Sequence, residues 1–158
     1  MADAKFEDGA ESPLHLVARD AGDLAVLSAL VQDAVFPITE MRFDPRKRRF
    51  ALLINRFRWE DRAAAETAGR GYERVQSLLV VDEALSVQTQ GINRAERDMV
   101  LSLLSVGFEA GEDGTGRVVL TLAGDGAVAL AVEALEVTLK DVTRPYLAPS
   151  RRVPGHDA

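Results

Sequence analysis

Two histidines and no cysteine in 158 residues leave little of the usual catalytic repertoire. A zinc site draws on several His or Cys ligands. A thiol nucleophile needs a Cys, and a serine triad needs a His as base. His15 stands alone between Leu14 and Leu16, with nothing beside it in sequence to fix its tautomer. On a short strand that is the place of an edge or half-buried residue. His156 lies in a polar tail. Glu60 and Asp61, beside Trp59, have the composition of a general acid/base pair, but neighbours on a strand point to opposite faces and do not converge. Asp113 and Asp125 lack the closely spaced oxygen ligands of a calcium loop. The glycines of Gly111–Gly116 precede a strand and carry two acids, which suits a hairpin loop better than a phosphate cradle. The residues nominate no catalytic group, no cofactor-binding group and no metal ligand. No cofactor is expected, and the balance leans away from an enzyme. A small enzyme with a carboxylate/arginine site assembled across the fold stays open as an alternative.

What does stand out is a basic segment. Between Arg42 and Arg62 there are eight basic residues and three acids, a local charge of +5 in a chain of net charge −6. Arg46 to Arg49 form an unbroken cationic run, and Arg56 and Arg58 share one strand face because alternate residues point the same way. Phe57, Trp59 and Tyr72 lie close by in sequence. A cationic strand pair with aromatics can hold RNA or single-stranded DNA by backbone charge and stacking. It can also dock an acidic protein, or the acidic face of a second copy. Against both stands a solvated face whose arginines are neutralised by acids elsewhere in the chain. The acidic net charge disfavours unspecific binding to nucleic acid or to an anionic membrane. The candidate binding surface is Arg42, Arg46, Arg48, Arg56, Phe57, Arg58 and Trp59. A protein partner or self-association is favoured, nucleic acid is possible, and no membrane partner is expected.

Those residues need a scaffold, and the hydrophobic pattern supplies one. Asp20 is a plausible N-cap, and Leu24, Leu27, Val31 and Ala34 recur at helical spacing, which predicts a helix over 21–35 stopped by Pro37. Runs 38–43 and 50–59 flank Asp44-Pro45-Arg46-Lys47-Arg48 and read as a hairpin. Residues 60–72 read as a loop with room for one helical turn. Strands follow at 75–81 and 85–89. The stretch 93–106 fits either a helix with a capping box at Asn93 or a buried strand, and strand is preferred. Runs 118–122 and 127–132 flank Gly124-Asp125-Gly126, the clearest hairpin signal in the chain. The stretch 128–140 changes phase near Glu133-Ala134, so a bulged, bent strand is preferred over a helix there. The short echo of Val75–Val81 in Val100–Val106 suits two equivalent strands better than a true repeat.

Several of these stretches also resemble a known family. Asn55-Arg56-Phe57-Arg58-Trp59-Glu60, Arg74 with Ser77-Leu78-Leu79, Leu101-Ser102-Leu103-Leu104, Leu120 to Gly126, and Leu130 to Asp141 are similar to an uncharacterised family of small, mainly alphaproteobacterial proteins carrying a domain of unknown function. The resemblance spans about Leu14 to Tyr146. It brings no reaction, cofactor or catalytic residue. It implies a bacterial, cytoplasmic protein that works as a stand-alone domain.

The expected fold is α+β: a mainly antiparallel sheet built from hairpins, with one helix near 21–35 covering a face. A roll and a β-sandwich both fit, and a pleckstrin-homology-like arrangement would require the last stretch to be helical. The expected organisation is a tail at 1–12, one domain at 13–146 and a tail at 147–158. No signal peptide and no run long enough to span a membrane is visible, and the lack of cysteine suits a reducing cytoplasm. The function expected from these features is a non-enzymatic binding or accessory protein acting through the basic, aromatic hairpin.

Overall fold

Phe50, Leu52, Ile54 and, on the next strand, Leu79 and Val81 alternate with more exposed neighbours, and this period of two sets the architecture. The computed structural model describes residues 13–93 and 95–155. The expected tail at 1–12, Arg94 and His156 lie outside them. The described residues form β1 (His15–Ala18), α1 (Ala21–Leu30), β2 (Val35–Pro37), β3 (Met41–Asp44), β4 (Arg49–Phe57) and α2 (Arg62–Ala68). These are followed by β5 (Glu73–Val81), β6 (Ala84–Gln90), β7 (Val100–Ala110), β8 (Gly116–Leu122), β9 (Ala127–Val132), β10 (Val137–Asp141) and β11 (Tyr146–Leu147). All the strand pairings are antiparallel.

The strand order is β1-β10-β5-β4-β2-β7-β8-β9-β6, with β3 also on β4 and β11 also on β5. The chain passes from one half of this sheet to the other twice, between β5 and β6 and between β9 and β10. The two passages are bound side by side: the Asp82 N–H donates to the Glu136 carbonyl and the Glu133 N–H to the Glu83 carbonyl, both at 3.0 Å. Both halves feed one core, in which Leu52 and Leu79 join Leu120, Leu130 and Leu103. Helix α1 adds Leu24 and Leu27 to that core. Ser28 on the same helix accepts from the Val106 N–H at 2.9 Å, just beyond a register shift in β7 between Leu103 and Ser105.

The mainly antiparallel sheet of the sequence-based expectation is present, but its helix content differs. The helix predicted over 21–35 ends at Leu30. Asp20 caps it, its carboxylate accepting from the Asp23 N–H at 2.8 Å. Past it the chain turns at Asp33, whose φ is +64°, and is captured by β7: Asp33 N–H donates to Leu103 O at 2.7 Å, and Leu103 N–H to Ala34 O at 2.8 Å. Val35 therefore starts a strand. A second short helix, α2, occupies part of the predicted loop at 60–72. Ile38–Glu40 is a 3-10 turn rather than the start of a strand. The described residues of 93–99 form no strand: Asn93 Oδ1 accepts from the Ala95 N–H, and Asn93 O accepts from the Glu96 N–H, so the local side-chain bond makes a turn and the strand begins at Val100. The change of phase near Glu133 is a break between β9 and β10, not a bulge in one strand, because the two lie in different halves of the sheet. With that stretch extended, a pleckstrin-homology-like helix is absent from it.

Candidate binding surface

Strand β4 separates the nominated residues into two groups. Arg42, Arg46 and Arg48 sit at its start, on and beside the hairpin it makes with β3, and all three are exposed. Arg56, Phe57, Arg58 and Trp59 sit at its far end, about 25 Å from Arg48 and about 17 Å from Arg42, whose partner is Ala51, at 3.3 Å per residue along the strand. The structure does not bring the two groups together.

The far group is interior. Arg56 has the same phase as Phe50, Leu52 and Ile54, so its side chain enters the core side, where it has no exposure at all. Its guanidinium is met on all sides. Nε donates to Ser77 Oγ at 3.0 Å and to Asp141 Oδ1 at 3.2 Å, while Nη2 reaches both Asp141 oxygens at 3.1 and 3.2 Å. Nη1 and Nη2 form a two-pronged pair with Glu60 at 2.8 and 2.7 Å. Burial alone would lower the affinity of Arg56 for its proton, but Glu60 and Asp141 outweigh it and the pKa is raised. Asp141 further accepts from the Ser77 hydroxyl at 2.6 Å and from the Leu14 N–H at 3.0 Å. One ionic cluster therefore ties β1, β4, β5 and β10.

Arg58 continues this network at the rim. It bonds Glu73 and lies 3.7 Å from Glu60 and 3.9 Å from Asp61. Asp61 takes a two-pronged pair from Arg70 at 2.7 and 2.6 Å, which holds its carboxyl below the usual range. Phe57 is buried under two aromatics, with ring centroids 4.7 Å from Trp59 and 5.4 Å from Tyr72. Trp59 is half-buried, and its indole N–H donates to the Gln32 carbonyl at 2.9 Å. Arg56, Phe57 and Arg58 are thus removed from the candidate surface: the rings of Trp59 and Tyr72 cover Phe57, and carboxylates from the following turn and from β5 and β10 hold the two arginines. Glu60 and Asp61 each accept hydrogen bonds from an arginine, so their oxygens are engaged as acceptors within the fold. Sequence reasoning did not foresee Asp141 and Ser77 as partners, although both fall at core-facing positions of their strands.

The hairpin group behaves differently. Asp44 Oδ1 accepts from the N–H groups of Arg46 and Lys47 at 3.0 and 3.3 Å, and this shapes the turn. Arg48 pairs with Glu133 and Arg49 with Asp82, each at 2.9 Å and half exposed, where such pairs contribute little. Arg42, Arg46 and Lys47 form no side-chain ion pair among the described residues. An open groove of about 590 Å³ runs beside them, lined by Met41, Arg42, Phe43, Lys47, Arg49 and Ala51 among others. A second hollow of about 600 Å³ lies between α2 and residues 147–151. Its Glu66 and Arg70 are already engaged with Arg62, Tyr72 and Asp61.

No helix among the described residues is long and apolar enough to cross a membrane. Comparison with curated proteins and with solved structures returned no match. A family model does match, over residues 14–156, and its description is a protein of unknown function. With nearly the whole described chain inside that match, the protein belongs to the DUF2948 family.

Proposed function

We propose that this protein is a non-enzymatic binding module of the bacterial cytoplasm that holds an acidic protein partner on the β3–β4 hairpin. The observation that carries this reading is the set Arg42, Arg46 and Lys47, which forms no side-chain ion pair among the described residues and stands beside an open groove whose one acid is the turn residue Asp44, in a chain of net charge −6. Such a concentrated positive patch steers an anionic partner and fixes its register. The bacterial, cytoplasmic setting rests on the family resemblance. A protein partner is favoured over nucleic acid because the rings that would stack on bases are spent elsewhere: Phe57 is buried and the Trp59 indole is bonded to Gln32.

The test is binding of poly-L-glutamate and of a short oligo(dT), followed by fluorescence anisotropy across a salt series. Wild type is expected to bind poly-L-glutamate, with affinity falling as salt rises. Arg42→Glu with Lys47→Glu is expected to lose that binding at least about tenfold, the effect of about 1.4 kcal/mol. An unchanged affinity in the double variant overturns the proposal. Tight capture of oligo(dT) with none of poly-L-glutamate moves the surface to nucleic acid.

A further inference from the structure

We infer that the acidic partner binds as an added strand, an extended peptide laid along the open edge of β3. The inference rests on the hairpin reading above and specifies the form in which the partner is held. Strand β2 has both edges taken, by β4 and β7, whereas β3, which continues along the same side of β4, pairs with β4 alone. The other edge of β3 is open among the described residues.

Two hollows meet at that edge. The groove of about 590 Å³ beside the hairpin and a smaller one of about 220 Å³ lined by Ile38, Thr39, Met41 and Arg97 share Met41, so they adjoin at that residue. Arg97 stands at one end and Arg42 with Lys47 at the other, and none of the three has an ion pair among the described residues. Between these cations Met41 and Phe43 are half-buried, packed against the core from its rim. They pair with core-facing Leu52 and Phe50, while Arg42 pairs with Ala51 on the other face.

The edge therefore offers three things in alternation. Its backbone has unpaired donors and acceptors, its core side has apolar surface at Met41 and Phe43, and its outer side has Arg42, with Lys47 in the turn beyond and one oxygen of the neighbouring Asp44 carboxylate taken by the Arg46 and Lys47 N–H groups. An incoming strand alternates its side chains in the same way, so acidic residues on one face and apolar residues on the other would fit. Main-chain bonds supply affinity in this mode and the alternating side chains supply selectivity. A segment of about six residues, about 20 Å long, spans the two hollows. The free edge of β6 does not offer the same fit, because Ala84–Gln90 contains no charged residue to select an acidic segment.

The experiment uses the full chain and a fluorescent peptide, Glu-Val-Glu-Val-Glu-Val, with two derivatives N-methylated on alternate residues, one for each parity. In strand addition only one parity of peptide N–H groups faces the protein. One derivative is therefore expected to lose at least about tenfold in affinity while the other binds like the parent. Equal binding of all three overturns strand addition yet leaves the charge-based hairpin reading standing. Failure of every peptide, with poly-L-glutamate also unbound, overturns both. A particle of twice the 17.1 kDa chain mass that excludes the peptide assigns the edge to a second copy and overturns the inference as well.

Discussion

Arg56 and Asp141 lie 85 residues apart in sequence and share three hydrogen bonds of 3.1 to 3.2 Å in the interior. Arg56 has no exposure, and the Asp141 side chain is 5% exposed. The pair joins the middle of the sheet to its last long strand. Ser77, on β5 between the two, completes the triangle by accepting from Arg56 and donating to Asp141. A cation this deep is tolerable only because two carboxylates and a hydroxyl replace the water it loses.

Breaking the triangle from the acid side should be costly. Asp141→Ala leaves the Arg56 charge with Glu60 as its one remaining carboxylate and leaves the Leu14 N–H without an acceptor. The expected loss is about 3–5 kcal/mol, the range for stranding one member of a buried pair. Glu60 is 30% exposed, so water replaces part of what Glu60→Gln removes, and a smaller loss is expected there. Urea unfolding of the two variants beside wild type checks the order. A larger loss in Glu60→Gln would show that the rim, not the interior, anchors Arg56.

Acid should act partly through Asp61. Its carboxyl is held below its ordinary value of 3.8, mainly by the hydrogen bond from Arg70 and against the opposing effect of burial. A folded-state pKa below the unfolded one contributes stability that is fully present above the unfolded pKa. That contribution is lost as pH falls through the folded pKa. Arg70→Ala should therefore be less stable than wild type at neutral pH, and the gap should close as the pH drops below 3.8. Arg70 is 41% exposed, so the gap is small, within about 1 kcal/mol. Thermal melts of both proteins across the acid range test it, and a gap that does not shrink with acid would remove Asp61 as the titrating partner.

The cap of α1 provides a local check. Asp20 accepts from the Asp23 N–H, so Asp20→Ala should cost about 1 kcal/mol of global stability while leaving the sheet intact. Urea unfolding gives the stability, and retention of the native circular dichroism spectrum before the transition gives the second point.

Much of this scaffold is readable from residue types. The cap at Asp20, the hairpin around Gly124–Gly126 and the apolar alternation of β4 and β9 all follow from local rules, and the structure has each of them. The misplacements have a common cause, which is tertiary capture. Val35 continues a helical stripe in sequence but is drawn into pairing with Ser102 and Asn55. The phase change at Glu133 looks like a bulge until the two strands are seen to serve different halves of the sheet. The surface assignment failed at Arg56 for a related reason. Its phase with Phe50, Leu52 and Ile54 already marked it as inward, and Ser77 and Asp141 carry the same mark on β5 and β10. Polar residues at core positions on three strands form a set that charge counting along the chain does not reveal. The place of Arg97 beside β3 has no local signal, because the turn at Asn93 that delivers it depends on a side-chain bond rather than on a periodic pattern.

The hairpin turn separates geometry from charge in the proposed function. Asp44 Oδ1 holds the Arg46 and Lys47 N–H groups, and the turn closes with Arg48 at a φ of +51°. Asp44→Ala removes a negative charge from the groove, so charge alone predicts tighter binding of an acidic peptide. It also removes the acceptor that shapes the turn, so a preorganised cradle predicts weaker binding. Asp44→Asn removes the charge and keeps an acceptor oxygen. With a surface set by turn geometry, Asp44→Ala should bind poly-L-glutamate several-fold more weakly and Asp44→Asn at least as tightly as wild type, a spread of about 1 kcal/mol. Tighter binding by both variants would mean that the cations act as a diffuse field, with no need for the turn that holds them.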